Sequence, residues 1–208
     1  MFLSADNAGA TSLLVAISAI SLLGLLAAPA IIRAAAFRPY WLIRKSEYWR
    51  LISSGFVHAS LSHLIFNLLT FYFFAFALER RIGTLMFLML YFLGLLLSNL
   101  GTYYKHRGEP DYVTVGASGA ITAVLFASIL YFPTSSLYIL PLPVPIPAPL
   151  FAVLYLGYSY YQSRHSTGRI NHDAHLSGAI TGLAFVAVTD PGAYGQLLAI
   201  LESAVGAR

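Results

Sequence analysis

Residues 11–32 read TSLLVAISAISLLGLLAAPAII, an apolar run with no charged residue. At about 1.5 Å per helical residue it is long enough to cross a hydrocarbon core of roughly 30 Å. The segment before it, MFLSADNAGA, carries no Lys or Arg. A cleaved signal needs a positive amino-terminal region, so the run is read as a retained transmembrane helix. Five further apolar segments follow, at about 60–78, 85–99, 117–132, 147–161 and 174–189. The composition agrees: of 208 residues, 58% are hydrophobic and only 10% charged, with a mean hydropathy of +0.73. A soluble domain is about 25% charged. This chain has too little polar surface to coat a water-soluble globule, and it is too apolar to be disordered. The expected fold is all-α, a polytopic six-helix transmembrane bundle forming one domain over residues 1–208.

The charges sit between the apolar segments. Twelve basic and eight acidic residues leave a net charge of +4. The basic ones fall at Arg33 to Arg50, Arg80–Arg81, Lys105–Arg107 and Arg164–Arg169, with Arg208 beyond them. That is membrane-flanking charge, not a nucleic-acid surface. No glycine-rich phosphate loop stands in strand–helix context, so nucleotide binding is unsupported. There is no cysteine, which excludes disulfides, thiolate catalysis and cysteine metal sites. Residues 37–60, FRPYWLIRKSEYWRLISSGFVHAS, mix rings with basic side chains, a composition suited to the membrane interface. Pro133, Pro141, Pro143, Pro145, Pro147 and Pro149 crowd the link after the fourth segment and cannot sustain a regular helix. Residues 194–205 read as a short interfacial helix or the end of a broken sixth span.

Counting spans yields a geometric result. If all six segments cross, the second, fourth and sixth start on the same membrane face. Each carries its unusual polar residues near its start: His58, His63 and Asn67, then Ser118, then His172, Asp173 and His175. These groups therefore converge in one leaflet half.

A serine hydroxyl is a weak nucleophile and needs a positioned base. Ser118 lies in Gly116-Ala117-Ser118-Gly119 at a helix start, where small neighbours leave it reachable and unpaired N–H groups can hold an oxyanion. His175 precedes Gly178 and Gly182, four residues apart on one helix face and suited to close packing. If that face meets the fourth helix, Ser118 and His175 come within hydrogen-bond reach. His63 and Asn67 are i and i+4, point the same way and both donate hydrogen bonds, as an oxyanion clamp requires. Each signal alone has a plainer reading. Ser118 and the glycines could be packing residues, and His63 and Asn67 interhelical glue. His58 suits a structural role, bonding a loop backbone. A metal site built from His58, His63, His172, His175 and Asp173 lacks the firm HExxH spacing of hydrolytic zinc. Asp173 falls on a different helical face from His175, and His106 and His165 read as surface. No metal and no cofactor are expected.

Together these residues resemble the rhomboid family of intramembrane serine proteases. Tyr48-Trp49-Arg50 is similar to the Trp-Arg element of the family's first loop. His58, His63 and Asn67 resemble its second helix, and Glu79-Arg80-Arg81-Ile82-Gly83 the charged turn closing that helix. Gly116-Ala117-Ser118-Gly119 resembles the serine motif, and residues 174–182 the motif of the last helix. The resemblance implies that Ser118 is the nucleophile and that His175 acts as general base and then acid. It also implies that His63, Asn67 and the Ser118 N–H form the oxyanion hole, with no orienting aspartate. Trp49, Arg50, His58, Glu79, Arg80, Gly116, Gly119, Gly178 and Gly182 would be structural or orienting. The implied partners are transmembrane protein substrates and the lipid bilayer, and the implied location is a prokaryotic cell membrane. The fifth helix and residues 158–171 would gate access.

The chain departs from the family pattern at one place. Some members carry an aromatic residue one turn after the nucleophile, stacked on the catalytic histidine; here that position is Thr122. Another helix would have to supply the ring. Nine of the twelve basic residues lie in the first, third and fifth loops, which the positive-inside tendency would place in the cytoplasm. The resemblance implies the opposite, with the amino terminus inside, and that orientation is the one expected. The rival functions are a catalytically dead relative that binds membrane proteins and a small transporter. A dead relative should have lost Ser118 or His175, and a transporter should carry polar residues along the whole span.

Overall fold

The computed structural model describes residues 7–139, 144–165, 168 and 170–206; Pro141, Pro143, Arg169 and Arg208 lie outside them. The first helices are α1 (Ala8–Leu26) and α2 (Pro29–Ala35), followed in the first loop by α3 (Trp41–Arg44) and α4 (Arg50–Ser53). Two long helices follow, α5 (Leu61–Ile82) and α6 (Thr84–His106), then the shorter α7 (Ser118–Tyr131). The strands β1 (Ser136–Tyr138) and β2 (Pro145–Pro147) precede α8 (Ala148–His165), α9 (His172–Thr189) and α10 (Ala193–Gly206). Helix α7 is the axis of the bundle. It packs against α5, α6, α8, α9 and α10, and every residue from Gly119 to Leu130 is buried.

The six apolar segments form helices, but their lengths depart from expectation. Among the described residues three helices, α1, α5 and α6, are long and apolar enough to cross a membrane. Helices α9 and α10 qualify only as a pair bent by 112°. Helix α7 has 14 residues, about 21 Å at the helical rise. A long apolar run is required where a helix faces lipid. Protein surrounds α7, so its length follows its neighbours. The first span is also shorter than residues 11–32. Pro29 has no N–H to continue α1 and instead stands at the first position of α2, where no intrahelical donor is needed.

The proline-rich link is not helical, and its described part pairs instead. Ser136, Leu137 and Tyr138 lie opposite Pro147, Ile146 and Pro145 in an antiparallel ribbon. Pro149 then sits in the first turn of α8. The tail forms α10, turned sharply from α9.

Buried polar groups lock the periphery to this core. Glu79, fully buried, accepts the backbone N–H groups of Gly9 at 2.8 Å and Ala10 at 2.7 Å. It also accepts the Thr84 hydroxyl at 2.7 Å. One carboxylate thus caps the start of α1, where backbone donors are unpaired and the helix dipole favours negative charge. It does so from the end of α5, beside the start of α6. Arg50 does the same for the first loop. It donates to the carbonyls of Arg33 at 3.1 Å and Ala36 at 2.7 Å and pairs with Glu47 at 2.9 Å. Glu47 also pairs with Arg38.

Helices α7 and α9 meet backbone to backbone. A Cβ on Gly178 would stand 2.1 Å from the Gly119 carbonyl oxygen, and one on Gly182 would stand 2.2 Å from that of Ala123. No L side chain fits at either place. The spacing of four residues repeats on both helices, so one seam runs for a full turn.

Two stability measurements follow. In an open helical site Gly→Ala stabilises by up to ~1 kcal/mol. Gly157, with no atom within 4 Å of its missing Cβ, should behave this way. Gly178→Ala should instead destabilise by ~1–3 kcal/mol through overpacking. Opposite shifts in detergent melting temperature are expected; equal shifts would show the seam is loose. Glu79→Gln should cost ~2–3 kcal/mol, because it leaves buried helix donors facing an amide in place of a carboxylate. A melting temperature unchanged by Glu79→Gln would show that the cap contributes little.

Candidate active site

The approach to α7 is built by its loop. Phe37 and Thr114 form an antiparallel bridge, with reciprocal N–H···O bonds of 2.9 and 3.0 Å. The Gly116 N–H donates to the Ser54 carbonyl at 2.9 Å. Gly116 has φ +121°, a conformation open to glycine. A Cβ there would stand 2.7 Å from Cε1 of His63. The glycine therefore lets the His63 ring lie against the chain two residues before Ser118. Ser118 is the first residue of α7 and is half-buried. The N–H groups of the first turn have no intrahelical acceptor.

The start of α9 is fixed independently. Asn171 caps it, its side-chain oxygen accepting the Ala174 N–H at 3.0 Å. The Asn171 amide donates to Thr102 on α6 at 2.9 Å and to Thr114 at 3.3 Å. Two residues on, the Asp173 carboxylate accepts from Lys105 at 2.9 Å and faces His106 at 3.5 Å. With both helix starts held and the glycine seam between them, Nε2 of His175 lies 2.8 Å from Oγ of Ser118. Tyr155 stacks beside the His175 ring, centroids 6.5 Å apart at 28°. The His172 ring meets it edge-on at 6.0 Å and 78°.

His58 is fully buried beside this pair. Its ring meets that of His63 at 4.9 Å in an edge arrangement. The Ser21 hydroxyl donates to the Phe56 carbonyl at 2.9 Å, so its oxygen accepts from Nδ1 of His58 at 2.8 Å. That leaves Nε2 with a lone pair toward the Ala117 N–H at 3.5 Å. Both contacts require the same neutral tautomer. Burial, then the neighbouring His63, lowers the His58 pKa to about 3, which keeps it neutral. Asn67 is buried and donates one amide hydrogen to the His63 carbonyl at 2.9 Å. A primary amide keeps a second hydrogen. A small polar recess adjoins Ser118, lined by Ser54, Ser98, Asn99, Thr114, Gly119 and Asn171.

The other candidates lie elsewhere. Glu79 and Arg50 belong to the peripheral locks described above. Trp49 and Arg80 are exposed, with the Arg50 cation 5.7 Å from the Trp49 ring. His165 is exposed, but His106 departs from its surface reading. It stacks on Tyr112 at 3.7 Å and bonds Glu109 at 3.0 Å, because the loop after α6 folds back on it. Among the described residues no three His, Cys, Asp or Glu side chains gather to hold a metal. Sequence reasoning missed Asn171, Tyr155 and Ser21. An Asn directly before an apolar helix is a capping signal that could have found the first. The other two are signalled by nothing local.

Residues 45–191 match the Rhomboid domain. The GlpG rhomboid protease of Haemophilus influenzae is 30% identical over 145 residues, 70% of this chain and 71% of that protein. YdcA of Bacillus subtilis is 46% identical over 80 residues, 38% of this chain and 39% of that one. The rhomboid protease GluP of the same organism is 27% identical over 160 residues, 76% of this chain and 30% of GluP. The chain thus spans less than half the length of these two Bacillus relatives. With its membrane-length apolar helices and a family match that covers most of its length, this multi-pass membrane protein belongs to the rhomboid family.

Proposed function

We propose that the protein is an intramembrane serine endopeptidase that cleaves transmembrane segments of membrane proteins with a Ser118–His175 dyad. The observation that carries the reading is the 2.8 Å contact between His175 Nε2 and Ser118 Oγ. At that distance the imidazole takes the hydroxyl proton as Oγ attacks a peptide carbonyl. The carbonyl oxygen becomes an oxyanion, held by the Ser118 N–H, the His63 ring and the second amide hydrogen of Asn67. Collapse expels the amine, which receives the proton from His175. Water then attacks the acyl-enzyme with His175 again as base. The relatives named as rhomboid proteases support the activity. The polar recess beside Ser118 supports a supply of water at the site.

The six segments act as six spans in a prokaryotic cell membrane, with α5, α7 and α9 beginning on the outer side. Substrates come through the bilayer past α8, of which only Ala148 and Ser159 are buried. Both chain ends then face the cytoplasm. A side-sensitive reporter fused after residue 208 should report the cytoplasm, and an external signal would invert the proposed orientation.

Purified protein in detergent with a model transmembrane substrate tests the chemistry. The wild type should cut, while Ser118→Ala and His175→Ala should abolish cutting and labelling by a fluorophosphonate probe. His63→Ala and Asn67→Ala should lower kcat by about 10- to 1000-fold with little change in KM, as for lost oxyanion donors. Undiminished cleavage by Ser118→Ala would refute the serine mechanism. A loss confined to KM would make His63 and Asn67 binding residues.

A further inference from the structure

Among the described residues, the His175 ring makes one hydrogen bond, to Ser118. No carboxylate orients its other nitrogen. A ring held at one atom turns about its side-chain torsion unless packing stops it. Two rings flank it: His172 edge-on and Tyr155 inclined by 28° with its centroid 6.5 Å away. His172 stands one turn before His175 on the same helix. Tyr155 comes from α8 and is itself braced. Phe126 of α7 lies 5.6 Å away at 56°, and Phe151 lies 5.6 Å away at 30°. Thr122 donates its hydroxyl hydrogen to the Ser118 carbonyl at 2.7 Å.

We propose that Tyr155 is the positioning residue of His175: from α8 it supplies the flat wall that holds the imidazole plane toward Ser118. The proposal rests on the protease reading. It explains how Thr122, which cannot stack, is tolerated one turn after Ser118. It also makes the geometry of the dyad depend on the seating of α8. That helix buries only two of its 18 residues, so any displacement of it carries the wall away.

The test uses the full chain in detergent, read by kcat and KM on a model transmembrane substrate and by the rate of fluorophosphonate labelling. Labelling reports the dyad without substrate docking. Tyr155→Phe keeps the ring and should stay within about twofold of wild type. Tyr155→Leu fills similar space without a flat face. It should lower kcat and the labelling rate in parallel by about 10- to 100-fold at constant KM, the scale of a misplaced catalytic group. Adding Thr122→Tyr to Tyr155→Leu restores a ring from α7 and should recover much of the rate. Wild-type kcat in Tyr155→Leu would overturn the proposal. So would a loss of rate matched by a loss of thermal stability that Thr122→Tyr does not repair, which would make Tyr155 a packing residue. An inactive wild type would instead refute the protease reading itself.

Discussion

The arrangement depends on the contact of two backbones. Lipid tails are as apolar as the side chains of a span, so helix association in a bilayer relies on close packing more than on burial. At Gly178 and Gly182 the main chain of α9 touches the carbonyls of Gly119 and Ala123 on α7. Side chains of ordinary size would hold the axes 8–10 Å apart. Here their absence brings the helix starts close enough for a serine on one and a histidine on the other to share a hydrogen bond of 2.8 Å. The glycines meet only backbone across the seam, yet the reach of His175 is set by them.

Backbone contact alone leaves the helices free to slide or tilt, and buried polar groups remove that freedom. Each has a demand that only one placement meets. Glu79 satisfies the first-turn donors of α1. Arg50 gathers carbonyls from the end of α2 and the loop after it. Asn171 joins the start of α9 to α6 and to the loop before α7. His58 links α1 to the start of α7 through opposite ring nitrogens. An unpaired polar group in a medium of low dielectric is costly. These contacts therefore specify register more than they add net stability.

The sequence was legible where the physics is local. Apolar runs marked where helices lie, although α1 ends six residues before the expected bound and α6 runs seven beyond it. The spacing of Gly178 and Gly182 marked a close-packing face of α9 without fixing its partner. The break at Pro29 was legible in principle, because proline lacks the donor α1 needs, but hydropathy reads through it. The shortness of α7 was not legible, since it reflects protein on every side. Glu79 was visible as part of a charged turn. Its partners Gly9 and Ala10 lie about 70 residues away and nothing in the turn names them. Tyr155 was hidden for the same reason. Thr122 showed that a ring was missing, but among 14 tyrosines and 14 phenylalanines only the fold selects one.

Under the proposed function, the short α7 also bears on how water would reach a bond within a bilayer. Helix α6 has 23 residues and α7 has 14, so the two cannot both reach the same two surfaces. The first residue of α7 starts after a loop that closes over it through the Phe37–Thr114 bridge and the bond from Gly116 to Ser54. Ser54, Ser98, Asn99 and Thr114 line the space this leaves. Their side chains give water partners that hydrocarbon does not. If Ser118 acts on transmembrane substrates as proposed, a longer α7 would carry it toward the surface, where such a substrate would keep its carbonyls in helical hydrogen bonds. On the same reading a shorter one would draw Ser118 away from the polar side chains of the recess. On the proposed reading the helix length would answer two opposed requirements, a hydroxyl below the surface and a wet path to it.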